Sequence, residues 1–468
     1  MKFLQSIFNA GGEVFEVGGT VRDRLLGIPH KDTDFLVTGI PIDVLSKLLR
    51  SLGNVAYVGK SFGVLKFSPN DEPGVIHDIA IPRKEISTGV GHRDFEVSYD
   101  HTLPVEIDLA RRDFTVNAIA RNLKTGAFVD PFDGRKDVER KVLKQVFKEA
   151  FIEDPLRLLR AVQFSARFNL AIENETLSAM KENAALIKSV SGERIVDEIR
   201  KLFLAKNPSI GFDIMDATGL LQYVFPEVSA TKGILQDKGH DVYRHTMIVV
   251  DAAAGDELID HKGNIDLMFA ALLHDVGKAK TARFVPDQKR IAFFGHQIVS
   301  KRIAMKRLAA LKASTVGVND ENVATLILNH MFETKSFFSD KAIRRFVAKV
   351  GKDLIMKLVD LRVADNRGGK YPGGVGGVMK LKKRIIEELE KKPPFGAKDL
   401  AINGHDLMKV GVPPGPEMGA IIKAMIEIVL DNPALNTKED LLEKAKEFTI
   451  SKEKKTKKGK APKEEKKQ

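Results

Sequence analysis

The chain has 468 residues, 75 Lys and Arg against 63 Asp and Glu, 11 His and no Cys, for a formal charge of +12. Such a length supports several folded cores, the missing thiols exclude disulfides, thiolate zinc sites and cysteine nucleophiles, and the positive balance favours a polyanionic partner. No run of about eighteen apolar residues occurs, so no membrane span is expected.

In chain order, the opening Met1-Lys2-Phe3-Leu4-Gln5-Ser6-Ile7-Phe8 is too short in its apolar part, and meets Glu13 too soon, to read as a secretory signal. With the absence of Cys, this predicts a cytoplasmic setting. Roughly the first 140 residues mix short β-branched runs with helical stretches, as an α/β domain does. The apolar run 14–17 leads into Gly18-Gly19-Thr20-Val21-Arg22-Asp23, where a strand would turn into a helix and backbone N–H groups could approach a phosphate, with Arg22 adding a charged contact. Lys31-Asp32-Thr33-Asp34 follows. On an extended strand Asp32 and Asp34 point to one side and could share a divalent cation, although a lone Asp-X-Asp is ordinarily a turn.

Asp78 alternates with apolar residues in Val75-Ile76-His77-Asp78-Ile79-Ala80-Ile81 and is a candidate third carboxylate; a solvent-facing aspartate is the alternative. Residues 84–94 read as a glycine-containing loop. Arg111-Arg112-Asp113-Phe114-Thr115-Val116-Asn117-Ala118 combines donors and acceptors suited to phosphate and ribose, or equally a helix start capped by Asp113.

Beyond residue 140 the pattern is helical, with amphipathic segments at 154–168, 194–204, 266–273 and 380–389 and glycine- or proline-rich breaks at 368–374 and 392–396. In the first of these, Pro155 marks a first turn, and Asp154, Arg157 and Arg160 follow at spacings of three. That spacing fits an i,i+3 ion pair, or a donor and acceptor set for the edge of a nucleobase. Further on, His274-Asp275 ends an apolar helix, costly without partners, and His245, His296, His330 and Asp365 are available elsewhere. Residues 451–468 carry nine Lys and three Glu, half of the net charge, and read as a disordered tail that either holds RNA loosely or only solubilises.

These segments, with Asp130-Pro131-Phe132-Asp133-Gly134 and Ser191-Gly192-Glu193-Arg194-Ile195, resemble in order the motifs of the class II tRNA nucleotidyltransferase and poly(A) polymerase family. The resemblance implies a multi-domain α+β chain. It would comprise a polymerase-β-like nucleotidyltransferase head over 1–140, a helical neck and body over 141–235 that binds RNA and reads the base, and a helical domain over 376–450 before the tail. His245, His274, Asp275 and Asp365 resemble the metal set of the HD phosphohydrolases over 236–375, with His296 and His330 available for a second metal.

By that resemblance Asp32 and Asp34, with Asp78 as candidate, hold Mg²⁺. Gly18, Gly19, Arg22, Arg111, Arg112, Asp113, Asn117, Asp154, Arg157 and Arg160 bind the nucleotide. The implied activity is template-independent addition of C, C and A to the 3′ end of tRNA from CTP and ATP, with release of pyrophosphate. The loop after Arg83 resembles the element that switches C addition to A addition. An A-adding or poly(A) polymerase is the alternative within the family. From another class comes an HD phosphohydrolase with a nucleotide- or RNA-sensing head, the HD module holding a divalent metal of unknown identity or kept only for architecture.

Overall fold

The computed structural model describes residues 1–29, 33–58, 63–87, 95–237, 240–334, 339–369 and 373–458. The chain divides into two compact units, Met1–Ile234 with Lys306–Asp320, and Leu235–Met305 with Glu321–Gln468.

Up to residue 129 the first unit contributes the described strands β1 (Glu13–Val17), β2 (Asp34–Thr38), β3 (Gly53–Val58), β4 (Val64–Pro69), β5 (His77–Ala80), β6 (Arg83–Ser87), β7 (Phe95–Tyr99), β8 (Ala120–Asn122) and β9 (Phe128–Val129), with a short parallel pair, Val142–Leu143 and Ala171–Ile172, further on. Seven form one sheet in the order β3-β4-β5-β2-β1-β8-β9, while β6 and β7 pair as a separate antiparallel hairpin. Alternation along β1 and β2 buries both faces. Val14, Phe35 and Val37 join Phe3, Leu45, Phe67 and Ile79 on one side, whereas Phe15, Val17 and Leu36 join Leu109, Ala118 and Ala120 on the other.

Within the sheet β2 and β5 run parallel, with Asp34 opposite Asp78 and Leu36 opposite Ala80. Residues in register on neighbouring strands share a face, so both aspartates sit on the Leu36 side, at the end where β2 begins. The helix Arg157–Phe168 packs against Gly192–Leu202 and Ser209–Ala217. Gly211 lets Ser209–Ala217 approach closely, because a Cβ there would lie 3.0 Å from Val162 Cγ1 of the first helix and 2.4 Å from Leu202 Cδ1 of the second.

The second unit is helical, apart from short two-stranded pairs such as Arg283–Val285 with Arg290–Ala292. Its centre is Ile265–Leu273, buried at every position after Ile265, capped by Asn264 and packed against Val242–Gly255 and Lys352–Gly368. A further cluster of Ile402, Leu407, Ile421, Met425 and Leu441 holds the C-terminal helices.

Two expectations change. The loop read at 84–94 begins as β6, so its first residues extend a hairpin; 88–94 lie outside the described residues. The segment read as a disordered tail starts inside the helix Lys438–Lys458, and 459–468 lie outside the described residues. Charge alone does not stop a helix that already has an apolar anchor, here Leu441 and Ala445.

Candidate functional site

A cavity of about 510 Å³ opens in the first unit. Gly19, Arg22 and Asp34 line it from the glycine turn and the sheet, and Arg111, Arg112, Asp113 and Asn117 from the next motif. Asp154, Leu156, Arg157, Arg160, Gln163, Phe164 and Arg167 come from the following helix and its approach, with Arg194 and Lys201 beyond. Eight cationic side chains face three carboxylates in this lining, so the cavity favours an anion.

The Asp34 amide donates to Thr20 Oγ1 at 3.2 Å, tying β2 to the glycine turn. Asp78 stands alongside in register, its carboxylate 3.2 Å from Lys66 Nζ. Asp32 lies outside the described residues. Gly18 itself is not in the lining. Its φ is +66°, its N–H donates to the Ile119 carbonyl at 3.3 Å, and a Cβ would come within 2.4 Å of Arg112 Nη1. A side chain there would therefore displace the arginine that leans over the turn.

The guanidinium groups are held by carboxylates. Buried Asp108 accepts from Arg111 Nη2 at 2.6 Å and from Arg112 Nη2 at 3.0 Å. Burial pushes its carboxyl up, but Arg112 and Arg111 outweigh that and hold it below the usual range. Asp113 is not the cap of an α-helix: its Oδ1 accepts from the Phe114 amide and Asn117 Nδ2, and its Oδ2 from Arg160 Nε at 2.7 Å. Burial again raises this carboxyl, and Arg160 and the Asn117 hydrogen bond more than reverse it. Arg22 is buried against Phe168, with Nη1 on Asn117 Oδ1 at 2.6 Å and its remaining donors on Asp23.

Of the two readings of the Asp154, Arg157 and Arg160 spacing, the i,i+3 ion pair is not found among the described residues. Asp154 is extended, ahead of the helix that starts at Arg157, and pairs with Arg194 at 3.1 Å. Arg157 donates to the Ala150 and Arg111 carbonyls at 3.1 and 2.9 Å and lies 3.4 Å from Glu153. Asp154 and Arg157 nonetheless both face the cavity.

In the second unit six side chains converge. His245 Nε2 lies 3.3 Å from His274 Nε2, 3.4 Å from Asp275 Oδ2 and 3.2 Å from Asp365 Oδ1. His296 Nε2 lies 3.3 Å from both His330 Nε2 and Asp275 Oδ1. Each Nδ1 is held by a carbonyl: His245 by Gly368, His274 by Ala271, His296 by Phe293 and His330 by Ile327, at 2.7 to 2.9 Å. A proton on each Nδ1 leaves the Nε2 lone pairs facing one another, an arrangement that requires a proton or a metal cation between them.

Asp275 is shared by the two halves, and its buried Oδ1 has no hydrogen-bond partner among the described residues. These donors fit a divalent metal, and the second set fits a second one. Burial lowers His330 to about 4, assisted by His274, so it is neutral near pH 7. Burial also lowers His245, but Asp365 and Asp275 outweigh it and raise its imidazolium; burial pushes the Asp275 and Asp365 carboxyls up, but the imidazoles around them, with Lys278 beside Asp275, outweigh it and hold both well below the usual range.

Residues 14–144 match the family described as "Poly A polymerase head domain" and 169–231 that described as "Probable RNA and SrmB-binding site of polymerase A"; 242–367 match the HD domain and 349–445 a tRNA nucleotidyltransferase domain 2. A multifunctional CCA protein of Methylobacillus flagellatus is 34% identical over 326 residues, 68% of this chain and 73% of that one. One from Actinobacillus pleuropneumoniae serotype 5b is 33% identical over 65% of this chain and 72% of its own. The chain belongs to the tRNA nucleotidyltransferase and poly(A) polymerase family.

Its matches to the curated family members span about two thirds of their length, 67% for that of Paraburkholderia phytofirmans. Among solved structures, the fold is shared with a Bacillus stearothermophilus CCA-adding enzyme in complex with CTP (TM-score 0.71, 22% identity, 97% of this chain and 98% of that one). It is also shared with a Thermotoga maritima CCA-adding enzyme complexed with tRNA (TM-score 0.56, 21% identity, 96% and 94%). Among the described residues, no helix is long and apolar enough to cross a membrane.

Sequence reading did not single out several residues that line or support the cavity. Asp108, Gln163, Phe164, Arg167, Arg194 and Lys201 all support or line the cavity. Asp108 carried a signal, sitting three and four residues before the paired arginines, whereas Arg194 meets Asp154 only through tertiary packing.

Proposed function

We propose that the chain adds C, C and A to the 3′ end of tRNA from CTP and ATP, releasing pyrophosphate. The observation that carries this reading is the cation-rich cavity in which residues from the glycine turn, the arginine pair and the Asp154 to Arg160 segment meet. Asp34, with Asp32 and Asp78, would hold Mg²⁺. When bound, such a cation lowers the barrier for attack of the RNA 3′-hydroxyl on the α-phosphate and neutralises the leaving pyrophosphate.

The chain's own groups do the rest. Arg111 and Arg112, fixed by Asp108, receive phosphate oxygens, and Asp113 with Asn117 offers acceptors and donors to ribose. Asp154 and Arg157 select the base. Cytosine and adenine present an amine beside a ring acceptor, which a carboxylate and a guanidinium match; uracil and guanine present the reverse polarity and would leave a buried group unpaired. Because Asp154 already holds Arg194, and Arg157 two carbonyls, a nucleotide must exchange some of these bonds for its own, which penalises a base that cannot repay them.

Incubating the protein with trimmed tRNA and each nucleotide in turn tests the reading: CTP alone should extend by two residues and ATP should complete the end. An A-adding or poly(A) polymerase would leave CTP unused. The converging imidazoles support a second reading for the other unit, metal-dependent hydrolysis of phosphate esters such as 2′,3′-cyclic phosphates or 2′-nucleotides. That activity should survive Asp34→Ala and disappear in His274→Ala.

A further inference from the structure

Arg362 stands three residues before Asp365 on the helix Lys352–Gly368. Its Nη1 donates to Asp365 Oδ2 at 2.9 Å and lies 3.9 Å from Met331 Sδ, next to His330. The other oxygen of Asp365 is 3.2 Å from His245 Nε2, so the guanidinium is one carboxylate away from the converging ligand atoms. Phe332 lies under it, 5.8 Å from Cζ to ring centre, and fixes its plane.

The group is only partly used. Arg362 Nε is buried and has no hydrogen-bond partner among the described residues. Buried donors on a charged group are costly to leave unmade, and folded proteins keep few of them without a reason. Nε and Nη2 form the edge of a guanidinium whose two N–H bonds run parallel, the geometry that grips two oxygens of one phosphate. Lys278, the other cation at the cluster, lacks a forked edge, and its Nζ already holds Asp275 Oδ2 at 2.5 Å and Gln236 Oε1 at 2.9 Å.

We propose that Arg362 binds the substrate phosphate at the histidine and aspartate cluster, its Nη1 staying on Asp365 while the Nε and Nη2 edge takes two non-bridging oxygens. The inference rests on the phosphohydrolase reading of this unit. The ligand class is a phosphate ester with two free oxygens on one phosphorus, met by both a phosphomonoester and a cyclic phosphodiester. Arg362 also orients Asp365, so the metal and the phosphate are positioned by one side chain.

The test measures binding of inorganic phosphate to the full-length, metal-loaded protein by equilibrium dialysis, together with metal content, for the wild type, Arg362→Met, Arg362→Lys and His274→Ala. Phosphate still bound by His274→Ala gives the contribution of the nucleotide cavity. Arg362→Met, which keeps the length and the contact with Phe332, should retain its metal and lose about tenfold or more of the remaining phosphate affinity, with KM rising more than kcat falls. Arg362→Lys, with charge but no fork, should fall between the two. Unchanged phosphate affinity in Arg362→Met would overturn the proposal, as would metal loss equal to that of His274→Ala, which would make Arg362 only a brace for Asp365. A wild-type protein that binds no metal in this unit would sink the phosphohydrolase reading itself, and the proposal with it.

Discussion

The two candidate sites solve opposite electrostatic problems. The cavity of the first unit is over-supplied with cations, and the carboxylates Asp108, Asp113 and Asp154 serve to hold its arginines in place. In the second unit acceptors face each other, with Asp275 Oδ1 lacking a hydrogen-bond partner among the described residues and imidazole lone pairs pointed inward. The first offers an excess of donors that suits an anion beside the Asp34 carboxylate, whereas the donor set of the second fits a cation. Charge at a site is thus best read from what remains after internal pairing.

If the sites are independent, Asp34→Ala should abolish nucleotide addition, a loss on the order of a thousandfold, and leave ester hydrolysis intact, while His274→Ala does the reverse. A gel assay and a phosphate-release assay on the same preparations would show it. Loss of both activities in either variant breaks the comparison.

Metal affinity of the second unit should fall with acidity. Because His245 holds its proton above the ordinary imidazole value, proton and cation already compete near neutrality, and affinity drops by about tenfold per pH unit for each proton displaced. Calorimetry in buffers of different ionisation heat should detect proton release on binding. Nucleotide affinity of the first unit should show no such proton release.

Asp113→Asn should cost about 2 to 3 kcal/mol at pH 7, less than a fully buried pair because the Arg160 side chain is 32% exposed. The Asp113 carboxyl is depressed by folding, so its contribution is present above its unfolded value near 4 and is lost as pH falls through the lower folded value. Denaturant midpoints of the wild type and variant should therefore converge in acid. The smallest effect is expected at the glycine turn. Gly18→Ala places a Cβ at φ +66° against Arg112, costing about 1 kcal/mol and weakening CTP binding several-fold.

Much of this was legible in the residues. Sequence placed Asp32 and Asp34 on one side of a strand and offered Asp78 as a candidate third carboxylate; the parallel register brings Asp34 level with Asp78, while Asp32 lies outside the described residues. His274 and Asp275 at the end of an apolar helix announced a cluster that needed partners. What escaped was tertiary: the spacing of Asp154 and Arg157 suggested a local pair, yet Arg194, 40 residues on, takes Asp154 because the extended residue precedes the helix instead of riding on it. Nor did sequence foretell that Asp275 is shared between two histidine pairs, since orientation of a carboxylate depends on three helices arriving together. Residues 84–87 read as loop because few of them are apolar, and they are held as strand by pairing with β7.

The most direct test of the central claim is extension of tRNA lacking its last three nucleotides. With CTP alone the protein should add two residues and stop, and with CTP and ATP it should add C, C and one A, through a cavity disabled by Asp34→Ala. Incorporation of A without prior C, runs of A, or full extension by the Asp34→Ala variant would contradict the account.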